Sequence, residues 1–181
     1  MSRGARSSST KNYEHGQIIG RIFFEIYSYF LKIQNTTYSV SMDIDTSLTE
    51  TYEEYMSKRK ENLKYKGQFK RPDLFIISSE DIVHDGKVFG VPEMIIEVAS
   101  PSTINEDYGD KKSIYESSRV PEYWIVNPEG VVDVFLLQNG KYELYQYIRD
   151  FLYDPTNPMQ IPISAGIPVK SFEGLKILPF R

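Results

Sequence analysis

Pro92-Glu93-Met94-Ile95-Ile96-Glu97-Val98-Ala99-Ser100-Pro101-Ser102-Thr103 sets one acid, Glu97, inside an apolar run, and Arg71-Pro72-Asp73-Leu74-Phe75-Ile76-Ile77 does the same with Asp73. Short apolar runs rich in Ile, Phe and Val read as buried strands. A carboxylate in such a strand costs several kcal/mol, roughly that of any ion taken from water, unless it is paired or bound to a metal. Two such costs in neighbouring runs point to one site that uses both.

Outward from these runs, the chain divides into a tail and one domain. Residues 1–12 are rich in Ser, Arg and Gly and read as a disordered N-terminal tail; residues 13–181 read as a single domain. From Tyr13 to about Ile33, apolar residues recur at helical spacing (Ile18, Ile19, Ile22, Phe23, Ile26, Phe30). Residues 38–44 read as a strand and 51–63 as a polar helix. Residues 69–78 hold the Asp73 strand, 79–90 a loop with Asp85-Gly86 as turn signal, and 93–100 the Glu97 strand. Thr103 and Glu106 have capping-box spacing at the head of a helix over 104–118. Strands follow at 121–126, 131–137 and 142–147, with turns at Asn127-Pro128-Glu129-Gly130 and at Asn139-Gly140, a two-residue hairpin signal. The tail from Asp154 is punctuated by proline and ends in an expected edge strand at 175–178. Helix, strands, helix, strands is the order of an α/β (α+β) sheet, with the helix after Glu97 crossing over to the Trp124 strand.

Composition narrows the chemistry. Among 181 residues there is no cysteine and there are two histidines, so thiolate metal sites are excluded and any metal is expected on oxygen ligands. No apolar run has the length of a membrane span and no signal-peptide pattern opens the chain, so a cytoplasmic protein is the expectation. Net charge is -4, yet residues 58–71 hold seven basic groups against Glu61 alone, +6 locally and -10 for the remainder. That run leads straight into Asp73, and its Lys64, Lys66, Lys70 and Arg71 are the candidates for contact with a phosphate backbone; the same run also reads as a solvated helix face and loop.

Hard divalent cations such as Mg²⁺ or Mn²⁺ take carboxylates, backbone carbonyls and water, and phosphodiester hydrolysis uses such a metal to stabilise charge and activate water. A lysine near the two acids would complete the set. The strand position that shares a face with Glu97 is Ala99, so the lysine must come from elsewhere. Asp107, Lys111 and Tyr115 are spaced by four on the following helix, and Lys111 can reach the site if that helix packs back over the strand. Lys112 points about 100° away. Plainer readings stand beside these: Asp107 and Lys111 as an ordinary i,i+4 ion pair, Asp73 ending a loop after Pro72, Glu97 in a structural bridge to a buried arginine. Glu14 and His15 open the first helix, with His15 on its apolar face as a core or capping residue or a supporting group of the site, and Glu14 as a supporting acid.

The block Glu97-Val98-Ala99-Ser100-Pro101-Ser102-Thr103, then Asp107, Lys111 and Tyr115, then Pro121-Glu122-Tyr123-Trp124, together with Pro72-Asp73, resembles the Uma-type "putative restriction endonuclease" family of the PD-(D/E)XK nuclease superfamily. The resemblance runs from Tyr13 to the C-terminus. It implies a restriction-endonuclease-like mixed central β-sheet flanked by helices. It implies metal-binding acids at Asp73 and Glu97, helped by the Val98 carbonyl, a migrated catalytic lysine at Lys111, and a family Glu-His pair at Glu14-His15. The chain departs from the pattern in the segment before that pair, in an apparent insertion at 50–66, and at Asn127, where Asp is common. The function expected is a Mg²⁺- or Mn²⁺-dependent endonuclease acting on DNA, with a homodimer as one common way to cut two strands. The alternatives are a catalytically silent nuclease fold that binds nucleic acid, in which the basic run and the 14 tyrosines carry the function, and a phosphodiesterase for small nucleotides.

Overall fold

The computed structural model describes residues 13–78, 82–127 and 131–148. Helix α1 (Tyr13–Lys32) is followed by β1 (Tyr38–Met42), β2 (Thr46–Ser47) and α2 (Tyr52–Glu61). Strands β3 (Leu74–Ser78), β4 (Ile82–His84), β5 (Lys87–Phe89) and β6 (Met94–Val98) come next. A helical crossover follows, of α3 (Ile104–Glu106), a π-helical turn (Asp107–Lys111) and α4 (Lys112–Ser117). Strands β7 (Glu122–Val126), β8 (Val132–Gln138) and β9 (Lys141–Ile148) complete the described chain.

The central sheet has the order β1-β3-β6-β7-β8-β9. Only β6 and β7 pair in parallel, joined by the helical crossover as a parallel pair requires; the other neighbours are antiparallel. Both faces are covered, which is why β3, β6 and β7 are apolar almost throughout. On one face Leu74, Ile76, Met94, Ile96 and Trp124 pack against Ile22 and Phe30 of α1. On the other, Phe75, Ile77, Ile95, Tyr123 and Ile125 pack against Tyr115, Ile104 and Ile114 of the crossover. Each such fully buried side chain contributes about 1.5–3 kcal/mol. The expected mixed sheet flanked by helices is the architecture found.

Three local expectations are corrected. Residues 82–89 form a β-hairpin, not a loop, and pair with β2 in a second sheet of order β2-β5-β4. Asp85 and Gly86 both have positive φ (50° and 70°), the two-residue turn that matches strand twist. Thr103 does not build a capping box: it already has helical backbone angles, and its Oγ1 accepts from the Ser100 N–H at 2.9 Å. The capping box lies at Thr51 and Glu54, with bonds of 3.2 and 2.9 Å. The helix over 104–118 is not uniform but carries the π turn. The Asn139-Gly140 hairpin is as expected, with φ of 51° and 81°. The tail at 1–12, the turn residues 128–130 and the edge strand at 175–178 lie outside the described residues.

Candidate active site

Asp73 stands one residue before β3, not inside it. Pro72 has no N–H to give to a ladder, so the strand begins only after it. The acid is nevertheless buried. Its Oδ2 accepts from the Val98 N–H at 3.0 Å, which makes a side chain the last rung between β3 and β6. In a strand the N–H and C=O of one residue face the same neighbouring strand, so the Val98 carbonyl lies on the β3 side of β6. His15 Nε2, from the first turn of α1, lies 3.2 Å from the same oxygen. His15 is buried, as expected of a residue on the apolar face of α1, and its partner there is a carboxylate. Glu14 lies on the same turn with its side chain outside the described residues.

Glu97 is 1% exposed, on the face of β6 that meets the crossover. Its Oε2 accepts weakly from the Asp73 N–H (3.4 Å) and lies 3.1 Å from Lys111 Nζ. Its Oε1 accepts from the Tyr115 hydroxyl at 2.7 Å. Lys111 Nζ also donates to Asp107 Oδ1 at 2.7 Å. The Asp107–Lys111 ion pair is therefore real, but it is shared with Glu97 and does not stand alone on a surface. Asp107 Oδ2 is buried without a hydrogen-bond partner among the described residues. Lys112 faces away, 4.0 Å from the centre of the Phe135 ring.

Burial pushes the Glu97 carboxyl up to about 7; Lys111 pulls it down, Asp73 repels it upward, and the Tyr115 hydrogen bond pulls it down again. Burial alone would lower Lys111, but Glu97 and Asp107 outweigh it and hold the ammonium above its ordinary range. Tyr115 is raised by burial first and then by Glu97, so it stays a hydroxyl donor.

Sequence reasoning missed Tyr123. Its hydroxyl, on β7, donates to the Asp107 carbonyl at 3.0 Å, and its ring packs edge-on against Tyr115 at 5.1 Å. A π turn is a wide turn that loosens helical carbonyls, and such bulges recur at functional sites. The Tyr123 hydroxyl gives one of these carbonyls a partner at the head of the turn that ends in Lys111. Only Tyr123's place in the Pro121–Trp124 block signalled it.

The basic run is partly neutralised. Arg71 pairs with Asp45 (2.8 Å), and Lys58 with Glu50 (2.7 Å). Burial pushes the Asp45 carboxyl up, but hydrogen bonds from Arg71 and Lys87 outweigh this and hold it below its ordinary range. Lys70 is half-buried, its backbone bridged to Thr46. Lys64 and Lys66 are exposed. The structure thus brings Asp73, Glu97, Lys111, Asp107, Tyr115 and His15 together; of the four basic candidates Lys64, Lys66 and Arg71 are exposed, Arg71 in an ion pair with Asp45, and Lys70 is half-buried.

The model of the Uma2 family, described as "Putative restriction endonuclease", matches residues 6–166. A solved structure described as a "putative nuclease belonging to DUF820" from Anabaena variabilis ATCC 29413 is similar in fold. The likeness covers 92% of this chain and 78% of that one, with a TM-score of 0.57 and 15% identity. No curated protein matches the sequence.

Proposed function

This chain belongs to the Uma2 family, and from that premise we propose that it is a divalent-metal-dependent endonuclease that hydrolyses DNA phosphodiester bonds. Family and fold are those of a nuclease. One observation carries the finer reading: Lys111 Nζ lies 3.1 Å from a buried Glu97 that is itself in contact with Asp73.

The donor set fits a hard cation. Asp73, Glu97 and the Val98 carbonyl are oxygen ligands, and burial and mutual repulsion raise Glu97 in a way that a bound cation would relieve. Mg²⁺ and Mn²⁺ keep several waters and share phosphate oxygens, so two carboxylates and a carbonyl are enough protein ligands for such an ion. When bound, the metal supplies charge neutralisation at phosphorus and an acidified water. The residues do the rest. Lys111, held as an ammonium by Glu97 and Asp107, is a donor and not a base, so its part is to stabilise charge that develops on the phosphoryl oxygens. Tyr115 fixes one oxygen of Glu97, and His15 with the Val98 N–H fixes one oxygen of Asp73.

The closed Glu97–Lys111–Asp107 contacts also suit a silent nuclease fold whose acids are neutralised internally. Calorimetry with Mn²⁺ separates the two. The nuclease reading expects binding that weakens by more than the roughly 10–100-fold typical of losing an outer partner when Glu97 becomes Ala. It also expects loss of metal-dependent cleavage of DNA in Asp73→Asn, which keeps an acceptor for the Val98 N–H. No binding at millimolar Mn²⁺, or full cleavage by Asp73→Asn, would sink it.

A further inference from the structure

A cleft of about 280 Å³ lies between the first turns of α1 and the end of β1. Ile19 and Met42 give it apolar walls, and the His15–Asp73 pair borders it. Gly16 and Gly20, one turn apart, form its helical side. Glycine inside a helix is destabilising relative to alanine. These two are not needed for close packing, because a Cβ built on either meets nothing within 4 Å. What their missing side chains leave is the open cleft itself.

We propose that this cleft takes one nucleoside of a DNA strand, the one adjoining the phosphate addressed by Asp73 and Glu97; this rests on the nuclease reading above. The cleft opens on Asp73, so whatever fills it is linked closely to the group at that carboxylate. Asp43 and Asp73 both line it, and two acids disfavour a bare anion. The uncharged part of a nucleotide is therefore the part that enters, while the phosphate stays toward Lys111. A flat base or sugar face can lie along Ile19 and Met42, as ligand clefts combine apolar walls with a few polar groups.

The test fills the cleft. Gly20→Leu places a side chain in open space and improves helix propensity, so thermal unfolding is expected at or above the wild-type temperature, with Mn²⁺ affinity unchanged. Affinity for a short single-stranded deoxyoligonucleotide, read by fluorescence anisotropy in EDTA, is expected to fall about tenfold. An oligonucleotide of abasic sites should bind the wild type as weakly as the normal one binds Gly20→Leu, and the two losses should not add. Equal binding of the normal oligonucleotide by wild type and Gly20→Leu would overturn the assignment, as would fully additive losses. If instead Mn²⁺ binding is absent from the wild type while base-dependent binding persists, the metal-nuclease reading fails and the cleft assignment stands.

Discussion

With its carboxyl raised to about 7, Glu97 holds a proton in the folded protein over a range where the unfolded chain, near 4.5, has released it. The folded state therefore binds more protons between those values, and stability falls as pH rises through that window. The slope approaches about 1.4 kcal/mol per pH unit and flattens above 7. Lys111, raised from 10.5, adds stability that is fully present below that value and fades only at higher pH, outside the window. In urea unfolding from pH 4.5 to 8 without divalent metal, the wild type should lose stability relative to Glu97→Gln as pH rises; parallel curves would contradict the raised carboxyl. Residues of this kind were legible because an acid in an apolar run is a visible cost. The Arg71–Asp45 pair was not legible, because Asp45 is 26 residues away and no local spacing links them.

At the scale of elements, the crossover decides where the lysine goes. Spacing by four placed Asp107, Lys111 and Tyr115 on one face, and all three do meet at Glu97 or beside it. The π turn was not legible, since an i,i+4 ion pair looks the same in a sequence whether or not the helix widens. Nor was the part of Tyr123, because a tyrosine in a buried strand reads first as core. Tyr123→Phe removes one hydroxyl and keeps the ring. Loss of a single neutral hydrogen bond costs about 0.5–1.5 kcal/mol of stability. On the proposed mechanism, in which Lys111 would act on charge that develops only in the transition state, cleavage should fall through kcat, with KM for DNA little changed. A variant that loses stability but keeps kcat would make Tyr123 a packing residue only. The β4–β5 hairpin shows the reverse case: its Asp85-Gly86 turn was visible, but the strands are only three residues each, too short to register as periodic.

For the whole molecule, the layer arrangement follows from apolar runs buried on both faces, and the helical crossover joins the parallel β6–β7 pair; the strand order β1-β3-β6-β7-β8-β9 is not set by those runs. Charge distribution followed only in part. The run at 58–71 is +6 by count, but Asp45 and Glu50 fold back onto it. DNA affinity should accordingly fall with salt less steeply than that count suggests. Lys64→Ala and Lys66→Ala should each lower the slope of log K against log salt by about 0.9, and Arg71→Ala by clearly less. Equal changes for all three would mean that the Asp45 pairing gives way to phosphate. No helix among the described residues is long and apolar enough to cross a membrane.

The rung that Asp73 makes with Val98 ties a sheet amide to the chemistry of one carboxylate. Its proton is buried in a strand, yet its acceptor is a titratable side chain and not a peptide carbonyl. The Val98 amide is therefore a built-in gauge: its nuclear magnetic resonance shift and its exchange with solvent register any change in charge at Asp73, with no probe attached and no substrate required.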